Sequence, residues 1–134
     1  MRIIRNTHNK YSRKGNKKFH FLRYGTFGIK TISCGRITEE KWKNLDRTLR
    51  RKFKIILGSK KIKIWSPVEF NCSLTKLSPE SRMGKGKGSI YAKSKFLKSG
   101  TLLFECSRLS KQYRKEVLYF VQKRLSLKLI ITYL

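Results

Sequence analysis

The chain has 134 residues, with 34 Lys and Arg against 7 Asp and Glu and a formal net charge of +27. Self-repulsion on that scale disfavours a compact state unless a polyanion neutralises it, so an ordinary enzyme surface is excluded and a nucleic acid is the expected partner. No apolar run approaches spanning length and the charge is not confined to one amphipathic helix, so no membrane insertion is expected.

Residues 1–18 are polar and basic, nearly free of aliphatic side chains after Ile4, and read as an arm that orders on RNA. Arg13, Lys14, Lys17 and Lys18 are its candidate RNA contacts. Met1 to Lys10 has no apolar h-region, so it is not a secretory signal. Residues 19–134 read as a single RNA-binding domain of α+β class: a mixed, mainly antiparallel sheet with two helices packed on it. Phe19 to Ser33 predicts two short strands, or one strand after a turn, around Gly25-Thr26-Phe27-Gly28. Gly35 interrupts, and Thr38 is placed to cap a helix whose first turn holds Glu39 and Glu40. Capping suits these two carboxylates better than acid/base chemistry. Trp42, Leu45, Leu49, Phe53 and Ile56 make one apolar stripe of this helix, and Gly58 ends it. The opposite face carries Lys41, Lys43, Arg47, Arg50, Arg51, Lys52 and Lys54 with little acid to balance them. Arg47, Arg50, Arg51 and Lys54 on this helix, and Arg36 before it, are candidate phosphate contacts.

Ile62 and Ile64 alternate with Lys61 and Lys63 as in a strand that ends near Pro67. An extended loop follows at about 76–89. Its centre is Arg82-Met83-Gly84-Lys85-Gly86-Lys87-Gly88, where glycines permit close backbone approach and the cations suit phosphate. Ile90 to Leu97 and Thr101 to Cys106 predict a hairpin about Lys98-Ser99-Gly100, with Leu102 and Phe104 on one face. Ser110 is placed to cap a second helix with Tyr113, Val117, Phe120 and Val121 inward and Lys111, Arg114, Lys115 and Lys123 outside. Leu127, Leu129, Ile131 and Tyr133 alternate as a last strand.

Enzyme motifs do not fit. The P-loop needs G-x-x-x-x-G-K-[ST], and here Gly84-Lys85 is followed by Gly86; the dinucleotide fingerprint needs a different glycine spacing and a following helix. His8 and His20 have no carboxylate or cysteine partner nearby in sequence. Cys34, Cys72 and Cys106 lack zinc spacing and read as free, buried thiols in a reducing compartment. No catalytic residue, metal or cofactor is expected.

The order of these motifs resembles the L-sixteen family of large-subunit ribosomal proteins, of bacterial and organellar type. The matching segments are Tyr11-Ser12-Arg13-Lys14-Gly15, Gly25-Thr26-Phe27-Gly28-Ile29-Lys30, Gly35-Arg36-Ile37-Thr38, Lys63-Ile64-Trp65, Arg82 to Gly88, and Gly100-Thr101-Leu102-Leu103-Phe104-Glu105. The resemblance covers about residues 10–134, and the glycine-lysine loop is its most specific part. The chain departs from the family's pattern at Glu69-Phe70-Asn71-Cys72-Ser73, at Ile90-Tyr91 and at Trp42.

The resemblance implies a non-catalytic constituent of the large ribosomal subunit that binds large-subunit rRNA near the peptidyl-transferase centre and helps position aminoacyl-site transfer RNA. Neighbouring ribosomal proteins are further implied partners, with no homo-oligomer, and Arg82 to Gly88 is implied to face transfer RNA. A match beginning near residue 10 leaves little room for a cleavable presequence. With the Lys-, Ile-, Asn- and Phe-rich composition, this favours an organelle-encoded protein of the mitochondrial matrix, with plastid or bacterial cytoplasm as alternatives. A free-standing RNA-binding factor in RNA maturation is the competing function.

Overall fold

Phe27, Ile29, Leu103 and Phe104 are wholly buried, and they lie on two paired strands at the centre of the protein. The computed structural model describes residues 21–58, 62–84, 86–107 and 109–133. The first sheet has the order β3-β6-β1-β7, with β1 at Phe27–Thr31, β3 at Ile64–Trp65, β6 at Leu102–Cys106 and β7 at Leu129–Tyr133. All its pairings are antiparallel, with Ile29 opposite Phe104 on one side and Ile131 on the other. Both central strands are buried at every position, which explains the nearly unbroken apolar run in Leu102–Cys106.

The second sheet has the order β2-β5-β4, with β2 at Gly35–Thr38, β4 at Cys72–Lys76 and β5 at Ser89–Leu97. Its strands are also antiparallel. The buried end of β5 pairs with β2; its exposed beginning pairs with β4, so β4 and β5 form a ribbon with residues 77–88 at its tip.

Helix α1, Glu39–Leu57, buries Trp42, Leu45, Leu49 and Phe53, as its apolar stripe requires. Helix α2, Lys111–Leu125, buries Val117, Val121 and Leu125. Trp42 stacks on Phe104 at 4.4 Å with nearly parallel rings, and Phe70 tilts against Trp42 at 6.3 Å. Two of the departures from the family pattern, Trp42 and Phe70, therefore pack against each other.

The α+β class and the two helices agree with the sequence, but several details differ. The described residues form two sheets. The strands at Ser89–Leu97 and Leu102–Cys106 do not form a hairpin, because each already has two neighbours in its own sheet. The turn between them binds Thr31 instead: the Gly100 N–H donates to the Thr31 carbonyl at 2.7 Å, and the Thr31 hydroxyl donates to the Lys98 carbonyl at 2.8 Å. Leu102 and Phe104 do not share a face. Ile29 pairs with Phe104 and Lys30 with Leu102, so β6 carries one extra residue and turns Leu102 towards the side of Glu105. Thr38 and Ser110 stand at the N-caps without side-chain capping bonds; Thr38 is also the last residue of β2. Cys72 and Cys106 are buried, whereas Cys34 is exposed.

Candidate nucleic-acid interface

Among the described residues, the expected RNA contacts fall in three cationic regions. The first is the outer face of α1. Burying its apolar stripe turns Lys41, Lys43, Arg47, Arg50, Arg51 and Lys54 outward, and all six are exposed. Glu39 and Asp46 moderate this face. Lys43 Nζ lies 2.9 Å from Glu39 Oε1, and the Lys43 hydrogen bond holds the Glu39 carboxyl below its ordinary range. Arg50 Nε donates to Asp46 Oδ2 at 2.8 Å, so one expected phosphate contact is engaged within the helix. Lys52 turns away from the others: it meets Glu116 Oε1 of α2 at 2.6 Å and lies over the Phe120 ring. A shallow groove of about 250 Å³ runs beside Lys43, Arg47 and Arg50.

The second region adjoins the start of α1. Arg36 is exposed on β2 and lines a depression of about 420 Å³ with Thr38, Glu40, Lys41 and Asn44. The third is the ribbon tip. Arg82, Met83, Gly84, Gly86 and Lys87 are exposed, Met83 to 97%, and Gly88 is half-buried. Lys85 lies outside the described residues, as do Arg13, Lys14, Lys17 and Lys18 of the arm.

The loop glycines serve two different needs. Gly84 and Gly86 have φ of 88° and 91°, and a Cβ on either would meet only open space. Their requirement is backbone conformation, which places positive φ at the tip. Gly88 needs room, because a Cβ there would come within 2.5 Å of the Lys76 backbone. It closes the base of the loop against the end of β4.

Sequence reading missed Glu105. It is 3% exposed, and its Oε2 accepts the backbone N–H groups of Arg23, Tyr24 and Gly25 at 3.1, 2.7 and 2.9 Å. The clamp fixes the segment leading into β1. Gly25 permits it by lying so close to β6 that a Cβ would sit 2.5 Å from the Cys106 carbonyl oxygen. The available signal was one acid inside an otherwise apolar strand. Burial, with the neighbouring Glu105 charge, pushes the Cys106 thiol up to about 12. Arg114, expected outside, is half-buried: its Nε donates to the Leu109 carbonyl at 2.9 Å, and its guanidinium lies over Phe27 and Tyr133.

Among the described residues no cluster of His, Cys, Asp and Glu could hold a metal ion, and no helix is long and apolar enough to cross a membrane. What the fold presents is a small α+β domain with cations on a helix face and on a projecting ribbon, the build of a protein that binds a polyanion. The chain belongs to a defined family of such proteins: residues 2–132 match the family model for ribosomal protein L16p/L10e. It is 41% identical to "Large ribosomal subunit protein uL16m" of Chondrus crispus over 131 residues, covering 97% of this chain and 95% of that one. It is 37% identical over 107 residues to the protein of the same name from Prototheca wickerhamii, covering 80% and 76%. It is 34% identical over 130 residues to "Large ribosomal subunit protein uL16" of Carsonella ruddii (strain PV), covering 94% and 93%.

Proposed function

We propose that this chain is a structural constituent of the large subunit of a mitochondrial ribosome, where it binds large-subunit rRNA near the peptidyl-transferase centre and helps position aminoacyl-site transfer RNA. Family membership over nearly the whole chain carries the ribosomal part of the reading, and the names of the Chondrus and Prototheca relatives favour the mitochondrial ribosome. The finer part rests on one structural observation. The Arg82–Gly88 loop stands at the end of a two-stranded ribbon and contributes nothing to the buried cluster, with an arginine and a lysine exposed on a backbone that glycines bend.

The division of labour follows from chemistry. Arg47, Arg51 and Lys54 on α1 and Arg36 on β2 neutralise rRNA phosphates, and Arg50 joins them when RNA competes with Asp46. Arg13, Lys14, Lys17 and Lys18 extend the contact along residues 1–18, while residues 19–134 act as one rRNA-binding domain. At the tip, Arg82 offers a planar fork for a phosphate or a stacked base, and Lys85 and Lys87 act as point charges towards transfer RNA. The protein contributes position and charge and no reaction step.

Sedimentation of tagged chain from organelle extracts tests the reading. Co-migration with the large subunit through moderate salt supports it. Release from ribosomes together with precursor RNA would instead identify a free-standing maturation factor.

A further inference from the structure

A groove of about 570 Å³ opens where the chain enters the fold, lined by Phe21, Arg23, Tyr24, Trp65, Glu69 and Glu105 among others. Tyr24 stacks on Trp65 with ring centroids 6.0 Å apart and planes 27° apart. A stack that served only the core would hide its rings, yet Tyr24 is 69% exposed and neighbouring Phe21 is 85% exposed. The Tyr24 backbone is nonetheless held, because the buried Glu105 carboxylate accepts the N–H groups of residues 23 to 25. An exposed ring on a clamped backbone is a preorganised platform, and Phe21 lines the same groove beside it. Arg23 adds an exposed cation on the same rim. The lining also includes exposed Glu69, which only accepts hydrogen bonds and repels a phosphate.

We propose that this groove binds one unpaired nucleotide of single-stranded RNA, with the base stacked on Tyr24 beside Phe21 and the phosphate at Arg23. Glu69 then meets a hydrogen-bond donor on the base edge. The proposal rests on the RNA-binding reading above and adds a site separate from the ribbon tip and the α1 face. Charge selects the occupant. An aromatic peptide also fits an aromatic groove, but a chain at +27 with an arginine on the rim attracts a polyanion, and aromatic stacking accepts any base. Sequence-specific RNA recognition also favours unpaired bases, whose faces are free to stack.

The test uses the full chain with a labelled single-stranded RNA octamer, a blunt RNA duplex of equal length and an aromatic peptide. Anisotropy gives affinity across a salt series, and tryptophan emission reports the groove, with Trp65→Phe as control because buried Trp42 stays in the core. The single strand should quench Trp65 and the duplex should not. Tyr24→Leu should weaken single-strand binding roughly 5- to 150-fold, the range expected for one stacked base, with an unchanged log–log salt slope. Tyr24→Phe should bind as the parent does, and Arg23→Gln should reduce the slope by about 0.7. Because Tyr24 packs on Trp65, Phe21→Ala is the second variant; it should weaken the single-strand complex without lowering the unfolding midpoint. Unchanged single-strand affinity in both Tyr24→Leu and Phe21→Ala overturns the proposal, as does quenching by the peptide and not by RNA. If those variants are silent while salt-dependent RNA binding persists, only the groove assignment fails. If the parent binds neither RNA, the RNA-binding reading fails with it.

Discussion

Removing the Glu105 carboxylate should cost more than any single change on the basic surface. Its Oε2 accepts three backbone N–H groups at 2.7 to 3.1 Å, and the Gly25 donor is buried. In Glu105→Ala, the Arg23 and Tyr24 donors, at exposed residues, can turn to water, but the Gly25 donor is pressed against Cys106 and cannot. Losing a charge-assisted bond and stranding a buried donor gives about 2–4 kcal/mol. That is a large share of the roughly 5–15 kcal/mol that holds a small domain together. Glu105→Gln keeps an acceptor and loses the charge. Charge-assisted bonds are roughly twice as strong as neutral ones, so this change should cost about half as much. Urea unfolding at moderate salt, which screens the self-repulsion, measures both values. Tryptic cleavage after Arg23 reports the local effect and should accelerate in both variants. Desolvation of the carboxylate opposes these gains. If Glu105→Gln matches or exceeds the parent in stability, desolvation dominates and the clamp is not the anchor described here.

Arg47→Gln with Arg51→Gln should lower the log–log salt slope of rRNA binding by about 2, near 0.9 per phosphate contact, and Arg50→Gln should lower it less because Asp46 already engages Arg50; an unchanged slope would mean a merely solvated face. Gly86→Val should leave the unfolding midpoint nearly unaltered but impair transfer RNA accommodation in assembled ribosomes, since its Cβ meets open space and strain is confined to the tip. Gly88→Val should disturb the ribbon itself, visible as lost hydrogen-exchange protection in β4, because its Cβ collides with the Lys76 backbone. One thiol, Cys34, should react quickly with a soluble disulfide reagent, and all three only after denaturation. The Cys106 thiol is raised from 9.0 to about 12, so the fold favours its protonated form; this contribution should make stability fall as pH rises through that window.

Periodicity revealed α1 because Trp42, Leu45, Leu49 and Phe53 recur at helical spacing and the cations fill the other face. It revealed α2 less fully, missing the inward turn of Arg114, whose aliphatic stem and guanidinium suit the Phe27 and Tyr133 rings. The strand Cys72–Lys76 escaped notice because its alternation is short, Cys72 and Leu74 against Ser73 and Thr75, only Cys72 is buried, and it gains its place by pairing with β5. The false hairpin has a related cause. A Lys-Ser-Gly turn between two apolar runs is a local signal, whereas partner choice is a property of the whole sheet. For the candidate interface, cation positions were legible because exposure follows from helix phase. The Glu105 clamp was not, because a donor cluster brought together across about 80 residues leaves no local pattern.

A crosslink map of assembled mitochondrial large subunits carrying photoreactive groups at Arg82, at Lys87 and, separately, at Arg47 tests most directly where the loop and the α1 face lie. Arg82 and Lys87 should crosslink to aminoacyl-site transfer RNA in translating particles, and Arg47 to large-subunit rRNA whether or not transfer RNA is bound. Absence of the chain from the particle, or loop crosslinks confined to ribosomal proteins on the outer surface, would contradict this placement.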